Sequence, residues 1–465
     1  MKKVILGLLV LGILMGLGVF SCYRSKPKPN VIIIIIDTAR QDYFSCYGYN
    51  RETTPRIDEF AKEAVKFENA IASSPWTLPS IASILTGLWP HRHLAGYAVK
   101  DPDTAQEGMT FLTGSALTLT EILLQNRYQT VGFFQNPFVD PGFGLNRGFE
   151  TYDYFPGDNL HIRKADQVLR LAVKWLEQYR ERGKPFFMVL HFFDPHLAYD
   201  PPMELAMPFI YQSQSSLKPP FAPSDEELEK IRAGEIKYSA MDKKFIIGLY
   251  EGELSFVDSM VGEFFDYLKE KGLYEKSLII ITADHGEEFW EHNSFEHGHS
   301  LYQELLLVPL LIRFPEKDNG GMVVQERVSL VDLAPSILTY LGIESGVMAN
   351  GRSFIMMPGA VIKPVPRAMI AELPRLGNPK QALYKERFKL ILDTITGKIE
   401  IYNLEEDPKE TKNLFGEKLS YPPEIIDQIR AVTKTIEQME QAKEQTPAKI
   451  DTETQKKLKA LGYLK

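Results

Sequence analysis

The chain alternates between unbroken apolar runs and segments whose apolar residues recur at helical spacing. Runs such as Val31-Ile32-Ile33-Ile34-Ile35-Ile36 and Ser277-Leu278-Ile279-Ile280-Ile281 are short and β-branched, so they predict strands buried on both faces. The same reasoning places strands at 30–36, 129–134, 186–193, 277–282 and 308–314. Helices are expected at 55–66, 79–86, 117–126, 163–182, 243–271 and 331–341. Within 163–182, Ala165, Val168, Leu169, Ala172, Trp175, Leu176 and Tyr179 share one face, and Gly183 ends the helix. This rhythm predicts an α/β fold with a largely parallel central sheet and helices on both faces. Residues 200–235, rich in Pro and Ser, read as a long surface excursion contributing to a substrate rim.

From about residue 345 the pattern changes. Short strand-like pieces at 366–371, 388–393 and 398–402 precede 422–446, which reads as an exposed helix full of Glu, Gln and Lys. Leu461-Gly462-Tyr463-Leu464 is expected to dock on the body, and this tail carries no chemistry of its own. The expected division is a catalytic domain over 30–345, a small subdomain over 346–417, and a helix with tail over 418–465.

The amino terminus reads as a targeting segment. Met1-Lys2-Lys3 is basic, Val4 to Phe20 is apolar, and Val19-Phe20-Ser21-Cys22 resembles a bacterial lipobox. Residues 1–22 are therefore expected to be a signal peptide with lipidation at Cys22, followed by a linker over 23–29. An uncleaved anchor is the alternative, although the apolar run is short for a span of about 20 residues. In either case the positive charges direct the rest of the chain out of the cytoplasm, to a periplasmic or cell-surface membrane location. With Cys22 lipidated, Cys46 has no disulfide partner. A net charge of −8 without a basic stripe excludes nucleic acid as a partner. The 465 residues, 44% of them hydrophobic, suffice for one large domain and a smaller one.

The candidate chemistry sits at strand ends. Asp37 follows the first apolar run, and Asp284-His285 follows the fourth, just beyond the carboxyl ends where open α/β sheets place their ligands. An aspartate there can be a simple helix cap, but two strands delivering Asp and Asp-His to one edge make a divalent-metal site. In Pro75-Trp76-Thr77-Leu78-Pro79, Pro79 suits the first turn of a helix that Gly87 ends. Thr77 then lies just ahead of a helix amino terminus, where free N–H groups favour an anion. A hydroxyl in that place is either an ordinary cap or a nucleophile.

These segments, with Cys46-Tyr47-Gly48-Tyr49, Pro195-His196, Val308-Pro309-Leu310 and Tyr402-Asn403-Leu404-Glu405, resemble the sulfatase family of the alkaline-phosphatase superfamily. The resemblance runs from about residue 29 to residue 415 and implies that family's fold, with a small antiparallel carboxyl-terminal subdomain. The departures from it fall on the chemistry. The family's Cys (or Ser)-x-Pro-Ser-Arg signature has Thr77 and Ile81 at its ends here, and threonine is not a known source of formylglycine. The Lys and His of the Gly-Lys-Trp-His stretch are missing from Gly132-Phe133-Phe134-Gln135, and the paired Asp-Asp is Asp37-Thr38. His297 takes the place of the Lys that follows Asp-His-Gly.

Thr nucleophiles occur in related exported phosphoethanolamine transferases, lipoteichoic-acid synthases and two-metal phosphodiesterases. The resemblance thus implies a metal-dependent ester hydrolase. Its single divalent ion would be held by Asp37, Thr77, Asp284 and His285, with zinc or manganese expected and calcium the third candidate. Thr77 would attack phosphorus, with His196 contacting the transferring group and His297 assisting the leaving group near neutral pH. Asn136 either donates its amide to a substrate oxygen or shapes a turn; His299 either touches substrate or lies at the surface. Phosphate mono- or diesters are the expected substrates, carried by a small molecule, a glycan or a lipid headgroup. Sulfate-ester hydrolysis, a phosphotransferase activity and non-catalytic anion or glycan binding are the alternatives.

Overall fold

The computed structural model describes residues 28–100, 107–155, 163–211, 213–344, 350–356, 361–374, 378–417, 421–441, 447–450, 454–456 and 458. The signal peptide expected at 1–22, residues 23–27 of the linker expected at 23–29, and the final Leu461–Leu464 lie outside them.

Eight strands make the main sheet: β1 (Asn30–Ile36), β2 (Val65–Phe67), β3 (Gln129–Phe134), β4 (Thr151–Tyr154), β5 (Phe186–Phe192), β6 (Ser277–Thr282), β7 (Leu310–Arg313) and β8 (Val323–Val324). Their spatial order is β8-β2-β7-β6-β1-β5-β3-β4. β1 runs parallel to both β5 and β6, and β3 runs parallel to β5 and β4, while β7 is antiparallel to β6 and β2. All seven residues of β1 are buried, so both faces of the sheet are covered there; this is why the run is apolar at every position instead of alternating. The mostly parallel sheet with its helices is the α/β architecture expected from the sequence.

The helices used below are α1 (Pro55–Ala61), α2 (Thr77–Thr86), α3 (Leu119–Gln125), α4 (Ala165–Gln178), α5 (Met203–Ile210), α6 (Asp225–Arg232), α7 (Ala240–Glu270), α8 (Leu333–Tyr340) and α9 (Glu424–Gln441). The long α7 begins at a capping box in which Ser239 and Asp242 satisfy each other's backbone N–H, and it packs on α1, α4 and α5. Its buried carboxylates each hold a neighbour. Glu251 takes Arg51, Glu253 takes Lys164 and the Asp200 N–H, and Asp258 accepts the Arg56 and Ile57 N–H groups at the start of α1. The excursion expected at 200–235 contains two helices, α5 and α6, the second opened by a Ser224–Glu227 capping box. Thr77 is the first residue of α2, not the residue ahead of it, and Trp76 is the cap.

Strands β9 (Met369–Leu373), β10 (Lys380–Lys385), β11 (Phe388–Asp393) and β12 (Ile399–Asn403) form a separate antiparallel sheet. Ile425 and Ile429 of α9 close a small core with Leu383, Leu390 and Ile401. A buried polar bolt joins this sheet to the body. Lys389 pairs with Glu410 at 2.7 Å, Glu410 accepts the Gln303 N–H at 2.6 Å, and Tyr384 donates to Gln303 at 2.8 Å.

Candidate active site

Because β1, β3, β5 and β6 are parallel, their carboxyl ends open on one edge of the sheet. Asp37 leaves β1 with its N–H donated to the Phe192 carbonyl of β5 at 2.9 Å. Asp284 follows β6. One of its oxygens accepts the His285 N–H at 2.9 Å, and the Ser80 hydroxyl of α2 donates to its carbonyl at 2.6 Å. The next residue must be glycine, because a Cβ on Gly286 would stand 2.0 Å from the Glu304 carbonyl oxygen. The His285 ring is placed for Nδ1 to donate to the Gly286 carbonyl at 2.9 Å, which turns Nε2 inward. Nε2 lies 3.5 Å from Asp37 Oδ1, from Asp284 Oδ2 and from the Thr77 hydroxyl. The four residues expected to hold an ion therefore converge.

The convergence extends to a residue that the sequence did not single out. His191 of β5 is fully buried, and its Nε2 is 3.5 Å from Asp37 Oδ2. Its signal in the sequence is faint: one polar residue near the carboxyl end of the otherwise apolar Phe186–Phe192. Asp37 Oδ1, Asp284 Oδ2 and both ring nitrogens of His191 are buried without a hydrogen-bond partner among the described residues. Buried polar atoms are rarely left so. Burial, followed by the charge of Asp284, pushes the Asp37 carboxyl well above its usual range, and burial pulls His191 down to about 4. Two buried carboxylates beside two imidazoles are a donor set that fits a divalent cation.

Asn136 takes the turn role considered for it, and its amide holds two groups of the site. Its oxygen accepts the Phe138 N–H in the turn after β3, while its amide donates to Asp37 at 2.8 Å and to the Thr77 hydroxyl at 3.2 Å. The amide is thus committed to holding protein groups and not left free for a substrate.

A histidine cluster caps the other side. His297 packs against His285 at 4.5 Å and against His196 at 4.9 Å between ring centroids. Its Nδ1 lies 2.9 Å from Glu287, whose other oxygen accepts the Tyr199 hydroxyl at 3.0 Å. Glu287 is fully buried, and burial pushes its carboxyl up to about 7. Burial, then the neighbouring His285, holds His297 well below the normal imidazole range, and burial and His297 lower His196 to about 3. Both imidazoles are therefore neutral at pH 7. His299 is not in this cluster: its Nε2 lies 2.7 Å from Glu288, and its ring is partly exposed. Glu287 also went unassigned in the sequence, although it stands only two residues beyond His285.

The family model for sulfatases matches residues 29–343, and the model for the carboxyl-terminal region of N-sulphoglucosamine sulphohydrolase matches residues 290–442. An N-acetylglucosamine-6-O-sulfatase of Bacteroides thetaiotaomicron is 24% identical across 87% of this chain and 86% of its own length. A protein solved with its substrate D-glucosamine-2-N,6-O-disulfate has a similar fold, with a TM-score of 0.68 at 21% identity, over 89% of this chain and 98% of the other. The phosphonate monoester hydrolase of Agrobacterium radiobacter is comparable, with a TM-score of 0.65 at 18% identity, over 89% of this chain and 96% of its own.

Proposed function

Because this chain belongs to the sulfatase family and is an ester hydrolase, we propose that within that family it cleaves phosphate mono- or diesters through a covalent phosphothreonine at Thr77. The carrying observation is the Thr77 hydroxyl, at the first position of α2, held by the Asn136 amide at 3.2 Å and facing His285 Nε2 at 3.5 Å. A divalent ion bound by Asp37, Asp284, His285 and Thr77 would supply the positive charge that favours the ionised hydroxyl and offsets the charge of a phosphoryl group.

The remaining work falls to the chain's own groups. Thr77 Oγ1 forms the bond to phosphorus as the bond to the leaving oxygen breaks. The first backbone N–H groups of α2 and His196 face the phosphoryl oxygens. His297 is neutral, and in the tautomer assigned from its contact with Glu287 its Nδ1–H donates there and its Nε2 carries the lone pair. That suits it to take a proton from the water that hydrolyses the phosphothreonine, a base role in place of the acid role expected from the sequence. His299 stays with Glu288 at the margin.

Charge separates phosphate monoesters from the other candidate substrates. Ile81 and Phe133, both buried, replace two cations of the family's motifs. One divalent ion then just balances the two carboxylates, Asp37 and Asp284. Such a site disfavours a doubly charged phosphate monoester relative to a singly charged phosphodiester or sulfate ester, and the preference for phosphorus over sulfur rests on Thr77, which is not a known source of formylglycine. The named activity of the phosphonate monoester hydrolase supports the same preference. The second reading, sulfate-ester hydrolysis, is supported by the N-acetylglucosamine-6-O-sulfatase relative. The test compares an aryl phosphodiester, an aryl phosphate and an aryl sulfate on metal-reconstituted protein. The diester is expected to turn over fastest and the sulfate slowest; fastest turnover of the sulfate sinks the phosphoryl reading.

A further inference from the structure

We propose that His191 is a direct nitrogen donor to the ion of this site, making a two-carboxylate, two-imidazole set with Asp37, Asp284 and His285 that selects zinc over calcium. The proposal rests on the reading of this edge as a metal site. A structural histidine buried in a strand ordinarily finds a hydrogen-bond partner. His191 is fully buried in β5, and neither ring nitrogen has one among the described residues. The ring stacks on Phe134, at 6.2 Å between centroids, which offers neither nitrogen a hydrogen bond. Asp37 Oδ1 and Asp284 Oδ2 also lack one among the described residues.

The spacing agrees. One donor atom each from Asp37, His191 and Asp284 lie within 4.8 Å of one another, and His191 Nε2 is 3.5 Å from Asp37 Oδ2. Two donors on one tetrahedral zinc ion stand about 3.4 Å apart, close to the 3.5 Å between His191 Nε2 and Asp37 Oδ2. Register makes the placement systematic. His191 pairs with Ile35 of β1, two residues before Asp37, so the parallel pairing brings imidazole and carboxylate to the same edge. Calcium prefers six to eight oxygens, whereas imidazole suits zinc. A second imidazole therefore moves selectivity toward zinc.

The direct test is the X-ray absorption fine structure of the zinc-loaded wild-type protein, which counts imidazoles on the ion. Two are expected; one overturns the proposal. The second test is His191→Gln, checked for folding by circular dichroism of the metal-free protein. Competition with a chromophoric chelator is expected to show zinc binding weakened about 100-fold or more, since even outer-shell partners are worth about 10–100-fold. Calcium binding is expected to stay within about threefold of wild type, and the visible bands of the cobalt-substituted protein are expected to shift. Zinc affinity within about threefold of wild type, with unchanged cobalt bands, makes His191 a core residue only. Neither readout uses a substrate, so the outcome is separate from that of the phosphoester assays.

Discussion

Among single residues, Thr77 is the one on which the proposed reaction turns. Its hydroxyl is buried, held by Asn136, and set at the first position of α2. Thr77→Ala is expected to lower turnover of an aryl phosphodiester by roughly three orders of magnitude or more, because the covalent step goes while the electrostatic terms remain. Thr77→Ser keeps the hydroxyl and is expected to stay within about tenfold of wild type. Steady-state kinetics on both variants checks this, and full activity in Thr77→Ala rejects it. Asp37, Thr77, Asp284 and His285 were legible in the sequence because each lies just past an apolar strand or opens a helix with Pro and Gly signals. His191 and Glu287 were not. One hides inside a strand, where a lone His reads as core, and the other reads as part of a polar loop until the fold brings His297 to it.

At the scale of elements, the turn after β6 is the tightest constraint. Gly286 donates its N–H to the Leu305 carbonyl at 2.9 Å, and a side chain there would collide with the Glu304 backbone. Gly286→Ala forces backbone displacement, at a cost of about 2–3 kcal/mol, and moves His285 with it. Thermal melts with and without zinc are expected to show a lower melting temperature and a smaller metal-induced rise than wild type. An unchanged rise separates the turn from the metal site. The long buried strands were readable because both of their faces are covered, so apolar residues fill every position. Val65–Phe67 and Val323–Val324 escaped notice because two or three residues show no period. Lys380–Lys385 was hidden by the lysines at its two ends.

At the scale of the whole molecule, the carboxyl-terminal sheet is bolted to the body by groups that titrate. His292 stacks on Tyr302 at 3.6 Å and pairs with Glu304 at 2.6 Å, and its other nitrogen meets the Glu410 carbonyl at 3.2 Å. Burial alone would lower its pKa, but the hydrogen bond and charge of Glu304, with Glu410, raise it to about 9. The folded state thus holds this proton more tightly than the unfolded chain. Its stabilisation is complete below pH about 6.5 and is lost as pH rises through about 9. His292→Gln is expected to cost on the order of 1–2 kcal/mol at pH 6 and little at pH 10, measured by urea unfolding. A pH-independent difference contradicts the assignment. The location of the whole chain is tested by palmitate labelling, expected in the wild type and absent from Cys22→Ala. Membrane association with label in neither protein replaces lipidation with an uncleaved anchor.

The central claim, phosphoryl transfer through Thr77, is tested most directly by trapping. Metal-reconstituted protein is mixed in parallel with a slow aryl phosphodiester and a slow aryl sulfate, quenched in acid within the first turnovers, and mapped by peptide mass spectrometry. An adduct on Thr77 is expected from the phosphodiester and none from the sulfate. An adduct on Thr77 from the sulfate alone, or an active phosphodiesterase whose adduct lies on another residue, contradicts the claim.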